Sequence, residues 1–368
     1  MQSWSHWEKA AYQHNDIVIV GAGIVGLFTA YYISEKFPNR QITVLDRHSL
    51  AAGASTKNAG FACFGSVTEI EDDLRVMDHS ELIHLIAMRW NGLQRLLSVV
   101  KRENIDFGQH GGIELFDNKD QFDDSVKNLD QYNDMVEQAT GLKGCFSVEE
   151  KCYSEKLHKE FIFNQYEGQL NPYKLISFLR GLLVKKQVRF VQGLNVEEWT
   201  ENGNISIHLS NGETMFADQL IIATNAFTKK LYPEVDLTPY RNQVLITEPI
   251  NNLPYKGCFH YNKGYTYFRN VGNRLLIGGF RDIDMLTEQT VSFGLTNKIQ
   301  EALVDFASSR LGLKFKVSHR WSGILASGPV KSAITKELSN NVFLGVRLGG
   351  MGVAIGSEVA YKISSLID

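Results

Sequence analysis

Gly21-x-Gly23-x-x-Gly26 is the stretch of this chain whose residue types and spacing most plainly specify chemistry. It follows the β-branched run 16–20 (DIVIV) and opens an apolar helical pattern that reaches about Lys36, where Phe37-Pro38-Asn39 stops it. A second short buried strand, 41–45 (QITVL), ends at Asp46-Arg47. Strand, glycine turn, helix and strand in this order form the βαβ unit of a dinucleotide-binding sheet. Gly21 permits the tight turn, Gly23 lets backbone approach a pyrophosphate, and Gly26 lets helix and strand pack closely. The helix start around Ile24 and Val25 presents free N–H groups and a positive dipole end to phosphate. Asp46, 20 residues beyond Gly26 (46 − 26), sits where a carboxylate accepts from ribose hydroxyls. Arg47 reads as a solvated side chain flanking the adenine rather than a reader of a 2′-phosphate.

Two further segments extend the site. The loop 53–60 (GASTKNAG) supplies short polar groups on Ser55, Thr56 and Asn58, with Ala59 and Gly60 allowing close backbone approach. Near the other end, Gly349-Gly350-Met351-Gly352-Val353 is a second glycine turn leading into a helix. The first motif does not separate NAD from FAD, because both share the adenosine diphosphate half. A second helix start favours a flavin: it would stabilise negative charge that develops near N1 and the C2 oxygen on reduction, and reduced nicotinamide carries no such charge.

The elements that must position these segments run through the whole chain. Its 368 residues predict about two domains, and 43% hydrophobic with 21% charged residues can bury a large core. A formal net charge of −3 excludes a general nucleic-acid binder and gives no support to a polybasic membrane anchor. Four cysteines, none in CxxC spacing and none near a histidine pair, predict neither a disulfide framework nor a metal site. The start MQSWSHWEKAAYQHN lacks the basic and apolar regions of a secretory signal, and the apolar stretch 17–33 is broken by glycines, so a cytoplasmic protein without an integral membrane segment is expected.

Helices are predicted over 80–103, 119–141, 172–186, 296–311 and 353–366, with Pro172 at an allowed first-turn position. Strands are predicted at 111–116 and 161–170, through the β-rich stretch 188–224, across 241–279 and at 341–345. Asn202-Gly203 and Asn211-Gly212 mark hairpins, and Trp321 is expected to begin a loop. The first and last strands should share one sheet, with a second domain inserted between them. The fold class is therefore α/β: a Rossmann-like module with a central parallel sheet, discontinuous in sequence, plus a smaller α+β domain with a mostly antiparallel sheet.

The set DIVIVGAGIVG (16–26), ITVLDR (42–47), GASTKNAG (53–60), YEGQLNPYKLISFLRGL (166–182), LIIATNAFT (220–228), RLLIGGF (274–280), HRWSGI (319–324) and LGGMGVAIG (348–356) resembles, in order, the D-amino-acid oxidase-type family of FAD-dependent oxidoreductases. That resemblance implies an extended FAD, with pyrophosphate at Gly21, Gly23 and Gly26, and ribose at Asp46. Val196 would touch the adenine. Ser55, Thr56 and Asn58 would line the pyrophosphate and flavin side, and Gly350, Met351, Gly352 and Val353 the pyrimidine edge. Ala223, Thr224 and Asn225 form a further cofactor turn, with Asn225 where the family carries glycine. It implies 1–84, 156–230 and 320–368 as the FAD-binding domain, and 85–155 and 231–319 as the substrate domain. The implied reaction is oxidation of a C–N bond of a small amine or amino acid by hydride transfer to flavin N5, followed by imine hydrolysis, with oxygen or a carrier taking the electrons. A 2-hydroxy acid is a close variant. A nicotinamide-linked dehydrogenase and a flavin-binding protein without turnover are the competing classes.

Two departures bear on the substrate. The loop arginine that grips the substrate carboxylate in glycine-oxidase-like members is replaced by Leu325 or Ala326. No cysteine follows Cys258, which implies non-covalent FAD. Substrate contacts are expected from Tyr265, Tyr267 and Arg269 on one strand face, with Arg347 and Arg281 beside glycine-rich segments, and His260 and Tyr261 as further candidates. Cys63 reads as a packed thiol. No catalytic histidine–carboxylate set is evident in the sequence.

Overall fold

The computed structural model describes residues 3–49 and 52–367. The glycine turn sits where expected, between the strand His14–Val20 and the helix Ile24–Lys36, and the strand Ile42–Asp46 follows. These strands are buried on both faces, as apolar runs in a parallel sheet require. His14–Val20 is central: it pairs in parallel with Ile42–Asp46 on one side and with Thr214–Ile222 on the other. Thr214–Ile222 pairs in parallel with Val342–Val346, so the first and last parts of the chain do share one sheet. Arg189–Gln192 closes the far edge in parallel, and the hairpins turning at Asn202-Gly203 and Asn211-Gly212 attach the strands Val196–Asn202 and Asn204–Leu209.

The helix Gly352–Ser365 packs beside Ile24–Lys36, where a Cβ on Gly356 would come 2.8 Å from Ile24 Cγ2. It also packs on the helix His79–Val99, where a Cβ on Gly92 would come 2.0 Å from the Ala354 carbonyl oxygen. Only glycine admits that second approach. One large apolar core, including Ile19, Phe28, Leu85, Leu96, Ile355 and Val359, joins these helices to the sheet.

A second eight-stranded sheet runs in the order Val317–Ser327, Thr238–Thr247, Arg274–Gly279, Thr266–Val271, Cys258–Tyr261, Gly112–Glu114, Glu160–Asn164, Phe146–Glu150. It is antiparallel except where Cys258–Tyr261 meets Gly112–Glu114. The aromatic rings of Tyr255, Phe259 and Phe268 fill its own core.

Several expectations are corrected. Trp321 lies within the strand Val317–Ser327, because that segment pairs with Thr238–Thr247 along nearly its full length. This strand, which crosses the expected boundary at 319/320, and Glu160–Asn164 both belong to the second sheet. Conversely, His79–Val99 spans the expected boundary at residue 84 and packs with the first-sheet helices. The helical stretch 119–141 is two helices, Lys119–Val126 and Leu129–Thr140, and 296–311 ends in a π turn at Phe306–Arg310. No helix among the described residues is long and apolar enough to cross a membrane.

Candidate active site

A cavity of about 600 Å³ runs between the two sheets, from Asn195 and Val196 at one end to Tyr265 and Arg281 at the other. Its first half is made largely of backbone. Gly21 has φ +112, and a Cβ there would come 2.6 Å from the Ala223 carbonyl oxygen. A Cβ on Gly23 would come 2.9 Å from Ser55 Oγ, inside the channel that both residues line. Ser55 Oγ accepts the Ile24 N–H at 2.9 Å, which puts this hydroxyl at the helix start. Asp46 is held by the turn it faces: Oδ2 accepts the Ala22 N–H at 2.9 Å and Oδ1 the His48 N–H at 3.0 Å.

The loop 53–60 keeps its shape through Asn58, whose Nδ2 donates to the Ala54 and Ser55 carbonyls and whose Oδ1 accepts the Gly60 N–H at 2.8 Å. Asn225 has φ +46, so asparagine does carry the left-handed turn where glycine was expected, and its Oδ1 accepts the Arg347 N–H at 3.1 Å. The two helices pack together at Gly356 and Ile24, and both helix starts line the cavity, one at Gly23 to Val25 and the other at Gly350 to Val353.

Of the residues expected at a cofactor, Gly21, Gly23, Ile24, Val25, Asp46, Arg47, Ser55, Asn58, Ala59, Gly60, Val196, Ala223, Thr224, Asn225, Gly350, Met351, Gly352 and Val353 line this cavity. Gly26 does not; it packs beneath the turn, with its Cβ position 1.9 Å from the Gly21 carbonyl oxygen. Thr56 lies behind the wall, with Oγ1 3.4 Å from the Gly53 carbonyl. Arg47 stacks on the Phe227 ring at 3.7 Å rather than standing free in solvent.

The family follows from the whole length of the chain. Residues 16–366 match the DAO family, described as FAD dependent oxidoreductase. The protein belongs to that family. It is 20% identical over 364 residues to a probable oxidoreductase, OrdL, of Haemophilus influenzae, covering 93% of this chain and 80% of that one. Its fold is similar to the crystal structure of L-proline dehydrogenase from P. horikoshii, with TM-score 0.77, 16% identity and coverage of 97% and 94%. It is equally similar to glycine oxidase from Geobacillus kaustophilus, with TM-score 0.77, 15% identity and coverage of 96% and 94%. This member is therefore an FAD-dependent oxidoreductase. The cavity fits FAD in kind: Gly21 and Gly23, where a Cβ would come within 3 Å of the opposite wall, two helix starts and a carboxylate at the strand end.

The second half of the cavity is built from side chains. Tyr265 and Tyr267 line it, with Phe61 packed edge-on to Tyr267 at 5.5 Å. Arg281 stands 5.1 Å from the Tyr265 ring and donates to Asn242 Oδ1 at 3.1 Å. Burial raises the Tyr267 hydroxyl above its ordinary range. Leu325 faces the cavity at the position where an arginine was missed, and Ala326 lies fully buried.

Arg269 and Arg347 are corrections. Neither lines the cavity. Arg269 runs under the loop 53–60, where Nε donates to the Ala59 carbonyl, Nη2 to Leu170 at 3.0 Å and Nη1 to Asn270 at 3.3 Å. Arg347, itself at φ +63, donates from Nε to the Ser332 carbonyl and from Nη1 to the carbonyl and carboxylate of Asp236, each at 3.0 Å. Both guanidiniums are occupied in holding backbone together. Tyr261 also points elsewhere, donating to Asp117 Oδ2 at 2.6 Å.

Sequence reasoning missed Glu69, Lys263, Lys331, Asn242 and Glu167. Glu69 had a local signal, the helix-start pattern Ser66-x-x-Glu69, but that pattern speaks of capping and not of a cavity. Glu69 lines the cavity. Burial would raise its carboxyl, but Lys331, His260, Arg89 and the Ser66 N–H outweigh burial and lower it, so it is ionised. His260 Nε2 lies 2.8 Å from Glu167 Oε2, 93 residues away in sequence. Burial would lower the imidazole, but the Glu167 carboxylate overrides it and raises the group to about 10. The histidine–carboxylate set absent from the sequence reading thus exists, assembled by the sheet. Cys63 is a buried thiol, and burial raises it well above its ordinary value, which favours the protonated form.

Proposed function

We propose that this protein oxidises the C–N bond of a small amino acid. One observation carries this reading. Among Glu69, His260, Lys263, Arg281 and Lys331, five of the charged side chains that line the cavity, three are paired: Lys263 with Asp72 at 3.0 Å, Lys331 with Asp73 at 2.8 Å, and His260 with Glu167. Arg281 and Glu69 have no opposite charge within ion-pair distance among the described residues. One open cation and one open anion complement the carboxylate and amine of an amino acid.

Arg281 takes the place of the arginine lacking at Leu325, donating to the substrate carboxylate from the N–H groups that Asn242 leaves free. Tyr267 adds a hydroxyl on the same wall. Glu69 accepts an N–H of the amine. Phe61, Val244 and Leu325 keep water from the reacting carbon. FAD, held by the turn at Gly21 and Gly23, by Asp46 and by the helix start at Gly352 and Val353, would supply the two-electron acceptor for the hydride of that carbon. The helix start at Gly352 and Val353 lines the cavity and would stabilise negative charge developing beside it. The imine product hydrolyses in water, and oxygen or a carrier reoxidises the enzyme. No side chain is required to abstract the carbon-bound hydrogen as a proton.

Anaerobic mixing of the holoenzyme with amino acids, simple amines and 2-hydroxy acids tests this. Amino acids should bleach the flavin absorbance. Bleaching by hydroxy acids alone would replace this reading with the alcohol-oxidising variant, and bleaching by none would favour a binding protein without turnover.

A further inference from the structure

The His260–Glu167 pair is left unused by the reaction as described. His260 is 6% exposed and lines the cavity. Its Nε2 is committed to Glu167, while Nδ1 makes no hydrogen bond within the described residues and is not closed off from the cavity. Glu167 is fully buried in turn, and the backbone of Gly112 closes over it: a Cβ on Gly112 would come 2.0 Å from Oε2. The carboxylate packs against Gly112 on the side of Oε2, the oxygen that meets the imidazole. A histidine whose one nitrogen is fixed by a buried carboxylate presents its other nitrogen in a defined direction.

The position of His260 separates it from Arg281. His260 pairs across the sheet with Tyr267, and the Phe61 ring sits edge-on to both, 5.6 Å from His260 and 5.5 Å from Tyr267. Arg281 lies beyond, beside Tyr265. The strand Thr266–Val271 lies between the strand that carries His260 and the strand Arg274–Gly279 that leads to Arg281, so about two strand spacings of roughly 4.8 Å each separate the two cationic donors, more than one carboxylate spans.

We propose that His260, held as an imidazolium by Glu167, donates from Nδ1 to a second carboxylate of the substrate, so that the preferred substrate is a dicarboxylic amino acid. His260 is then a catalytic-site anchor and Glu167 a positioning residue. This rests on the reading of Arg281 as the anchor of the first carboxylate. Charged or titratable groups facing His260 are Glu167, Glu69 and Glu114 with the thiols of Cys63 and Cys258. Of these, Glu167 alone bonds directly to the ring.

The test uses the holoenzyme and two unreactive probes of matched length, succinate and butyrate, with binding read from the perturbed flavin spectrum. The wild type should bind succinate about tenfold more tightly than butyrate. His260→Asn should lose about tenfold for succinate and less than about threefold for butyrate. Glu167→Gln removes the charge that keeps the ring protonated, so succinate affinity should fall as pH rises from 6 to 8, while the wild type stays level over that range. Retained flavin shows that each variant is folded, and His260→Asn decides the matter alone if Glu167→Gln loses it. Equal losses for both probes, no loss for either, or no binding of either to the wild type would overturn the proposal. Bleaching by monocarboxylic amino acids with no preference for succinate would leave the amino-acid reading standing and remove only the second anchor.

Discussion

The two halves of the cavity are built from different materials. The cofactor half is mostly backbone: glycines at Gly21 and Gly23, two helix starts, and one carboxylate tied to the Ala22 and His48 N–H groups. The substrate half is side chains brought from separate strands and loops, with His260, Lys263 and Arg281 each braced by a different partner. Backbone donors cannot titrate, and a glycine cannot rotate away. Side chains can do both, so the substrate half should respond to pH and tolerate substitution where the cofactor half does not.

The severest way to break this contrast is at Gly26. A methyl there would lie 1.9 Å from the Gly21 carbonyl oxygen, so Gly26→Ala must displace the turn itself. The purified variant is expected to carry little or no flavin, and a wild-type flavin-to-protein ratio would contradict the cradle. Next comes the polar layer under the strand Thr238–Thr247. Arg241 donates twice to Glu288, from Nε and Nη2 at 2.9 Å each, and Gln243 and Thr296 also bond to that carboxylate. Glu288→Ala strands a buried guanidinium and should cost about 3–5 kcal/mol in denaturant unfolding.

The same pair has a pH signature. Burial would raise the Glu288 carboxyl, but bonds from Arg241, Gln243 and Thr296 hold it below its ordinary 4.5. A carboxylate lowered on folding adds stability above its unfolded value, and that stability is lost as pH falls from 4.5 through the lower folded value. Acid titration of wild type against Glu288→Ala should show their stability difference shrinking below about pH 4.5. A constant difference down to pH 2 would show that the pair is not what the acid removes.

A smaller effect separates the two arginines. Arg281→Met should raise KM for an amino acid by about 10–100-fold with the flavin spectrum intact, the scale of a lost charged hydrogen bond. Arg269→Ala should leave KM within about twofold and lower stability by about 1–3 kcal/mol, because it frees the Ala59 and Leu170 carbonyls. The reverse outcome would restore Arg269 as the anchor. The mildest substitution is Tyr267→Phe. Its hydroxyl has only Asn242 Nδ2 at 3.5 Å among the described residues, so KM should change by a few-fold at most.

What the sequence by itself determined is the local part of this protein. The βαβ unit from the strand His14–Val20 through Asp46 was readable because each signal acts within a few residues: β-branched runs, glycine at φ values only glycine favours, an acid at a strand end. The closing helix Gly352–Ser365 was readable for the same reason. Tertiary structure alone decided which side chains meet. Arg269 and Tyr267 stand two residues apart on one strand, yet the guanidinium is consumed by the carbonyls of Ala59 and Leu170 while the tyrosine lines the cavity. Trp321 became strand because Thr238–Thr247 offered a full edge to pair with. His260 and Glu167 share no local pattern at all. A side chain's role depends on whether its donors and acceptors are already satisfied, and the groups that satisfy them are neighbours in space that lie far apart along the chain.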